Sequence, residues 1–146
     1  MKYKILFLSI FILSSCNHDN EKLDAIIKEY QNHEGYNYED YPLGNFSEEY
    51  FKAEKEFAES LLLKLDDIDI TNLDENDNIS FELLSFVLSD IIAYYDFERF
   101  LNPLLSDSGF HSSLVYNVRP MYNYEQVKNY LNKLNAIPQY VDQYLP

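Results

Sequence analysis

The pair His33-Glu34 is the first place to look for chemistry, because a His followed by Glu opens the zinc helix motif of metallopeptidases. That motif needs a second His four residues on, so that two ligands share one helical face with the Glu as base. Asn37 stands at that position, and Gly35 breaks the helix that would carry the ligands. The pair reads instead as a helix end exposed to water. His18 and His111 have no Cys or carboxylate at ligand spacing.

The acidic stretch from Asp67 to Asn78 invites a calcium loop. From Asp67, the register puts Asn72 where the sharp turn needs Gly and Asn78 where a bidentate Glu belongs. From Asp74 it ends on Ser85. The stretch therefore reads as a solvated connection between helices. Nucleophile motifs of the Gly-x-Ser-x-Gly and Ser-x-x-Lys kinds are absent, and three Gly in all leave no glycine-rich phosphate loop. Asp90, Asp96, Glu98 and Arg99 read as the polar edge of one helix rather than as a catalytic carboxylate pair. No residue is assigned to catalysis, to a cofactor or to a metal.

Tyrosine is the unusual component, at 14 residues with no Trp. Tyr36, Tyr38 and Tyr41 fall in one loop, and Tyr122 and Tyr124 in another. A phenol joins an apolar face to a polar tip, which suits both a gap between helices and a surface for a protein or glycan. These five are the candidate partner-binding residues, and packing at the rim of the core is the competing reading.

The single Cys16 excludes a disulfide framework. It closes a run that begins with Lys2 and Lys4 and continues through apolar Ile5 to Leu13, interrupted only by Ser9. That run is about half of the roughly 20 residues a membrane span needs, so it reads as a secretory signal. Leu13-Ser14-Ser15-Cys16 resembles a bacterial lipobox, which makes residues 1–15 the signal peptide and Cys16 the lipidated first residue of the mature chain. The expected location is the bacterial cell envelope, anchored in a membrane through Cys16 and facing the periplasm or exterior. Asn17 is not the Asp that marks inner-membrane retention in enteric bacteria.

The formal charge is −14, and loss of Lys2 and Lys4 with the signal makes the mature chain more acidic still. Such a charge excludes a nucleic-acid surface and sets the body off from anionic lipid. Yet 47% hydrophobic residues are too many for a disordered acidic chain.

The elements follow from periodicity. Residues 16–22 read as a polar tether. Leu23, Ile26, Ile27 and Tyr30 then line one helical face, with Asn20 as N-cap and Gly35 as stop. Residues 35–46 form a loop. Ser47 caps a helix over about 48–66, with Tyr50, Phe51, Phe57, Ala58, Leu61, Leu62 and Leu65 on its apolar side and a Glu48–Lys52 pair on the other. A third helix is predicted from about Ser80 to Leu101, ended by Asn102-Pro103. Phe86 and Val87 widen its stripe enough to suggest burial on more than one side. Asn123 starts a fourth, with Gln126 at the capping-box position and Val127, Tyr130, Leu131 and Leu134 as its face. Pro138 interrupts it, and Val141 to Leu145 begins a further turn. No segment alternates with period two. The fold class is all-α: an antiparallel, bundle-like array of about four to five helices after the signal peptide.

The order of these segments resembles a known family. Tyr130-Leu131-Asn132-Lys133-Leu134, followed by Ile137-Pro138-Gln139-Tyr140 and Gln143, is similar to a helix pair in the N-terminal region of the DUF885 family. Lys133 departs from the Arg more usual there. The resemblance covers residues 23–146 through diffuse helical patterns. It implies a largely helical fold in much longer proteins that look like zinc metallopeptidases, with the zinc motif in their C-terminal half. No residue here matches a zinc ligand or the catalytic Glu, so zinc is implied only for the longer relatives. The leading expectation is an incomplete, lipid-anchored N-terminal part over residues 23–146, catalytically silent alone, whose partner is the missing C-terminal part. The alternative is a free-standing envelope lipoprotein that binds a protein or glycan through its Tyr-rich loops.

Overall fold

The computed structural model describes residues 18–101, 112, 114 and 119–144. The signal peptide, Cys16, the Asn102-Pro103 stop, Gly109 and Leu145 lie outside them. The described elements are α1 (His18–Gln31), α2 (Glu48–Leu65), α3 (Glu75–Asp96), α4 (Tyr124–Asn135) and α5 (Ile137–Asp142), with 3-10 turns at Ile70–Asn72 and Arg99–Leu101. No strand occurs among the described residues, so the all-α expectation holds.

The chain divides into two compact units, and α2 and α3 each contribute residues to both. The first unit takes residues up to His33 together with Glu56–Ile92. Its core is aliphatic: Leu23 and Ile26 of α1, Ala58, Leu61 and Leu65 of α2, Leu84 and Leu88 of α3, and Ile68 and Leu73 of the connection. Spacings of three, four and seven residues place each set on one face of its helix. Leu23, Leu61, Leu65 and Leu88 are completely enclosed. His33 lies flat on Phe57, with ring centroids 3.8 Å apart, so the residue that hinted at zinc serves as a lid on an aromatic ring.

Two boundaries differ from the sequence expectation in this unit. The first helix is described from His18, so Asn20 lies inside it rather than capping it. The Asp19 carboxylate accepts from Asn72 Nδ2 at 2.8 Å and from Lys22 Nζ at 2.9 Å, and it is buried. The third helix starts at Glu75 rather than Ser80. Asp74 Oδ1 accepts from the backbone N–H groups of Asn76 and Asp77, which is a side-chain cap. Asp69 does the same for Thr71 in the preceding turn. Asp69 and Asp74, the two carboxylates that would open or follow the calcium loop, are thus spent on caps. The wider stripe of α3 holds only in part: Val87 is half-buried, but Phe86 is 70% exposed.

The Asn72 and Lys22 hydrogen bonds hold the Asp19 carboxyl below the usual aspartate range. A depressed folded-state value contributes stability above the unfolded value, and that contribution is lost as pH falls through the folded value. Asp19→Asn should therefore lower stability at neutral pH and remove part of the acid-side slope below the ordinary aspartate range. A pH series of urea midpoints reads both effects.

The second unit takes Glu34–Lys55 and the residues from Ala93 onward. Its interior is aromatic. Phe46 meets Tyr140 edge-on at 5.4 Å and Tyr144 at 5.2 Å. Phe51 stacks on Phe100 at 5.3 Å and meets Tyr94 at 5.2 Å. Offset and edge-on rings of this kind add about 0.5–1.5 kcal/mol per pair beyond their burial. Gly44 turns the chain into this cluster at φ 105°, and a Cβ there would sit 2.5 Å from the Phe46 ring. Gln143 ties the C-terminal side down, its Oε1 accepting from the Phe46 N–H. Burial, then a hydrogen bond with Tyr140, pushes the Tyr144 phenol far above its ordinary range, so it remains a neutral member of the cluster.

Three more expectations change in this unit. The third helix ends at Asp96, because Glu98 adopts the left-handed φ of 50° and a 3-10 turn follows. Glu48 accepts from the Tyr95 hydroxyl at 3.3 Å rather than forming the expected pair with Lys52. Pro138 lies in the first turn of α5 instead of merely breaking α4, as a missing N–H costs nothing there.

Candidate binding site

The loop after α1 is held by its own polar groups. Asn37 Oδ1 accepts from the Glu39 N–H at 2.9 Å, and Asn37 Nδ2 donates to Asp40 at 2.9 Å. The Tyr41 N–H donates to the Asn37 carbonyl at 3.0 Å, and the Gly44 N–H to that of Tyr41 at 3.0 Å. Tyr36 stands edge-on to Tyr50 at 5.7 Å and packs against Tyr38 at 5.6 Å. Burial first, then repulsion from Tyr38, raises the Tyr36 phenol, which therefore stays a donor well into alkaline solution. Tyr38 is left 66% exposed on this rigid support.

Opposite the loop stands α4. Asn123 caps it, accepting from the Gln126 N–H at 2.9 Å, while Gln126 Oε1 reaches back to the Tyr122 N–H at 2.7 Å. The reciprocal bond of a capping box falls one residue earlier than expected. With its start fixed, the helix sorts its residues cleanly. Lys128, Asn129, Asn132 and Lys133, at i, i+1, i+4 and i+5, share one side. Together with Tyr38, Glu39 and Pro42 they line an open cavity of about 700 Å³. Tyr124, Val127, Leu131 and Leu134, at i, i+3, i+7 and i+10, share the other side and are all exposed, with Leu131 at 51%. No residue of α4 is buried. The helix thus lines the open cavity with its polar side and leaves its apolar side exposed, where an ordinary surface helix buries the apolar side.

The five candidate tyrosines therefore separate. Tyr38 lines the cavity and Tyr36 supports it. Tyr41 is half-buried and does not line it. Tyr122 and Tyr124 are 84% and 77% exposed and do not line it. Sequence reasoning missed Lys128, Asn129, Asn132 and Lys133. The signal available was the polar cluster of α4, which reads as ordinary solvated surface until the loop is seen opposite. Among the described residues no three His, Cys, Asp or Glu side chains come together as a group able to hold a metal ion, so the donor set for zinc is not met there. No described helix is long and apolar enough to cross a membrane.

An all-α chain with this loop and helix pair defines a helical module. Its family model, described as "Bacterial protein of unknown function (DUF885)", matches residues 29–145, and the chain belongs to that family. No curated protein matches the chain, and no solved structure does.

Proposed function

We propose that the chain is a lipid-anchored cell-envelope protein whose described region docks and binds but does not catalyse. Its role is that of the N-terminal helical part of a longer, metallopeptidase-like DUF885 protein. The observation that carries this reading is the outward apolar face of α4: Val127, Leu131 and Leu134 are 39%, 51% and 41% exposed along one stripe. A stripe of this kind marks a contact surface. Its proposed occupant is a further helix of the DUF885 protein, because family membership spans the residues that form it. There the region would wall a substrate cleft. Cys16 supplies the anchor.

Reading the coding sequence beyond the codon for Pro146 tests the assignment. A continuation, in frame or after a frameshift, that encodes a His-Glu…His pattern supports it. An unrelated gene after a terminator overturns it. Chelator-sensitive peptide cleavage by the purified chain would also contradict it.

A second reading is favoured by a different observation. Tyr38 stands exposed beside a cavity with two lysines and two asparagines. That arrangement suits a free-standing lipoprotein that uses its Tyr-rich loop to hold a glycan or a protein segment.

A further inference from the structure

We propose that the cavity between the 38–42 loop and α4 is a binding site for an acidic oligosaccharide, one whose sugar rings carry carboxylates. The inference rests on the reading of the Tyr-rich loop as a binding surface and names its ligand class. Three features of the lining carry it.

The first is the Tyr38 ring, 66% exposed on a loop whose conformation is fixed by Asn37 and backed by Tyr36. A sugar ring has an apolar face of C–H groups, and an exposed aromatic face held in place binds it with little ordering cost. The second is the pair Asn129 and Asn132, one helical turn apart on the wall opposite. Each amide offers a donor and an acceptor, which matches the paired hydroxyls of a sugar. Glu39, on the loop wall, adds acceptors for the same hydroxyls.

The third feature selects among sugars. Lys128 and Lys133 bracket the two asparagines on the same side of α4. The chain as a whole is at −14, so a lining in which Lys128 and Lys133 outnumber Glu39 is a local departure from that balance. An ammonium attracts a carboxylate and contributes nothing comparable toward a neutral sugar. The volume of about 700 Å³ lies within the range of ordinary ligand sites and accommodates a short saccharide.

Calorimetric titration of the full chain in neutral detergent tests the proposal, with tetragalacturonate, maltotetraose and acetate as probes. The expected result is binding of tetragalacturonate at least about tenfold tighter than maltotetraose, with no comparable heat from acetate. Tyr38→Ala should weaken both saccharides about tenfold while the helical circular dichroism stays unchanged. Lys128→Gln with Lys133→Gln should bring tetragalacturonate down to the level of maltotetraose and leave the latter alone. Equal binding of the two saccharides, both lost in Tyr38→Ala, overturns the acidic preference and keeps the Tyr-rich loop as a binding surface. Binding that Tyr38→Ala leaves intact overturns both. Absence of saccharide binding, or acetate competing as an ordinary anion, overturns the proposal.

Discussion

Leu61→Ala is expected to destabilise the first unit by about 3 kcal/mol, within the range for emptying an enclosed leucine site. Leu61 is 0% exposed and sits among Leu23, Ala58, Leu65 and Leu88. The lost side chain forfeits its transfer free energy and leaves a cavity that the surrounding aliphatic residues fill only in part. A typical domain has only about 5–15 kcal/mol in total, so a change of this size moves a urea midpoint visibly. The internal control is two residues away. Leu63 is 70% exposed on the same helix, and Leu63→Ala should change stability by no more than about 0.5 kcal/mol. Equal effects at the two positions would mean that α2 is rotated from the face assigned here.

Cys16→Ser should move the protein from the membrane fraction to the soluble fraction. The physical basis is the proposed acyl anchor, for which each buried CH₂ would contribute about 0.8 kcal/mol and more than one chain would make the attachment stable. Nothing else described on the chain substitutes for it. The charge of −14 is repelled by anionic lipid, and no described helix is long and apolar enough to span. Fractionation, with incorporation of labelled palmitate as the second readout, checks the outcome. A serine variant that stays in the membrane fraction would show that the envelope association does not depend on lipid at this residue.

Helix identity was legible because burial is written locally. Leu23 and Ile26, and Leu61 and Leu65, repeat with the period of a helix, and the structure encloses all four. Caps were legible in part. Ser47 accepts from the Tyr50 N–H at 3.2 Å and Asn123 from that of Gln126, as read. Asp74 was misread because a run of carboxylates suggests a loop whether or not one of them caps a helix. Phe86 was misread for another reason: periodicity shows that a face is apolar, not that a neighbour covers it. The cavity was invisible because Tyr38 and Lys128 are separated by most of the chain, and no local pattern reports that the 38–42 loop would stand across from the polar side of α4. Tyr38 was nonetheless among the residues singled out, since an exposed loop tyrosine is recognisable from sequence alone.

The outward face of α4 is the centre of the functional reading, and one labelling measurement addresses it. With Cys16 acylated, Leu131→Cys introduces the one free thiol of residues 1–146, which hold no other Cys. Glu125→Cys provides the matched control, being exposed on the same helix about 120° around from the apolar stripe. Small-maleimide labelling in intact cells of the native host should be at least about tenfold slower at position 131 than at position 125 on the proposal that a further helix of the DUF885 protein covers the stripe. Equal rates at the two positions would show the apolar face open in the cell and contradict its assignment as a docking surface.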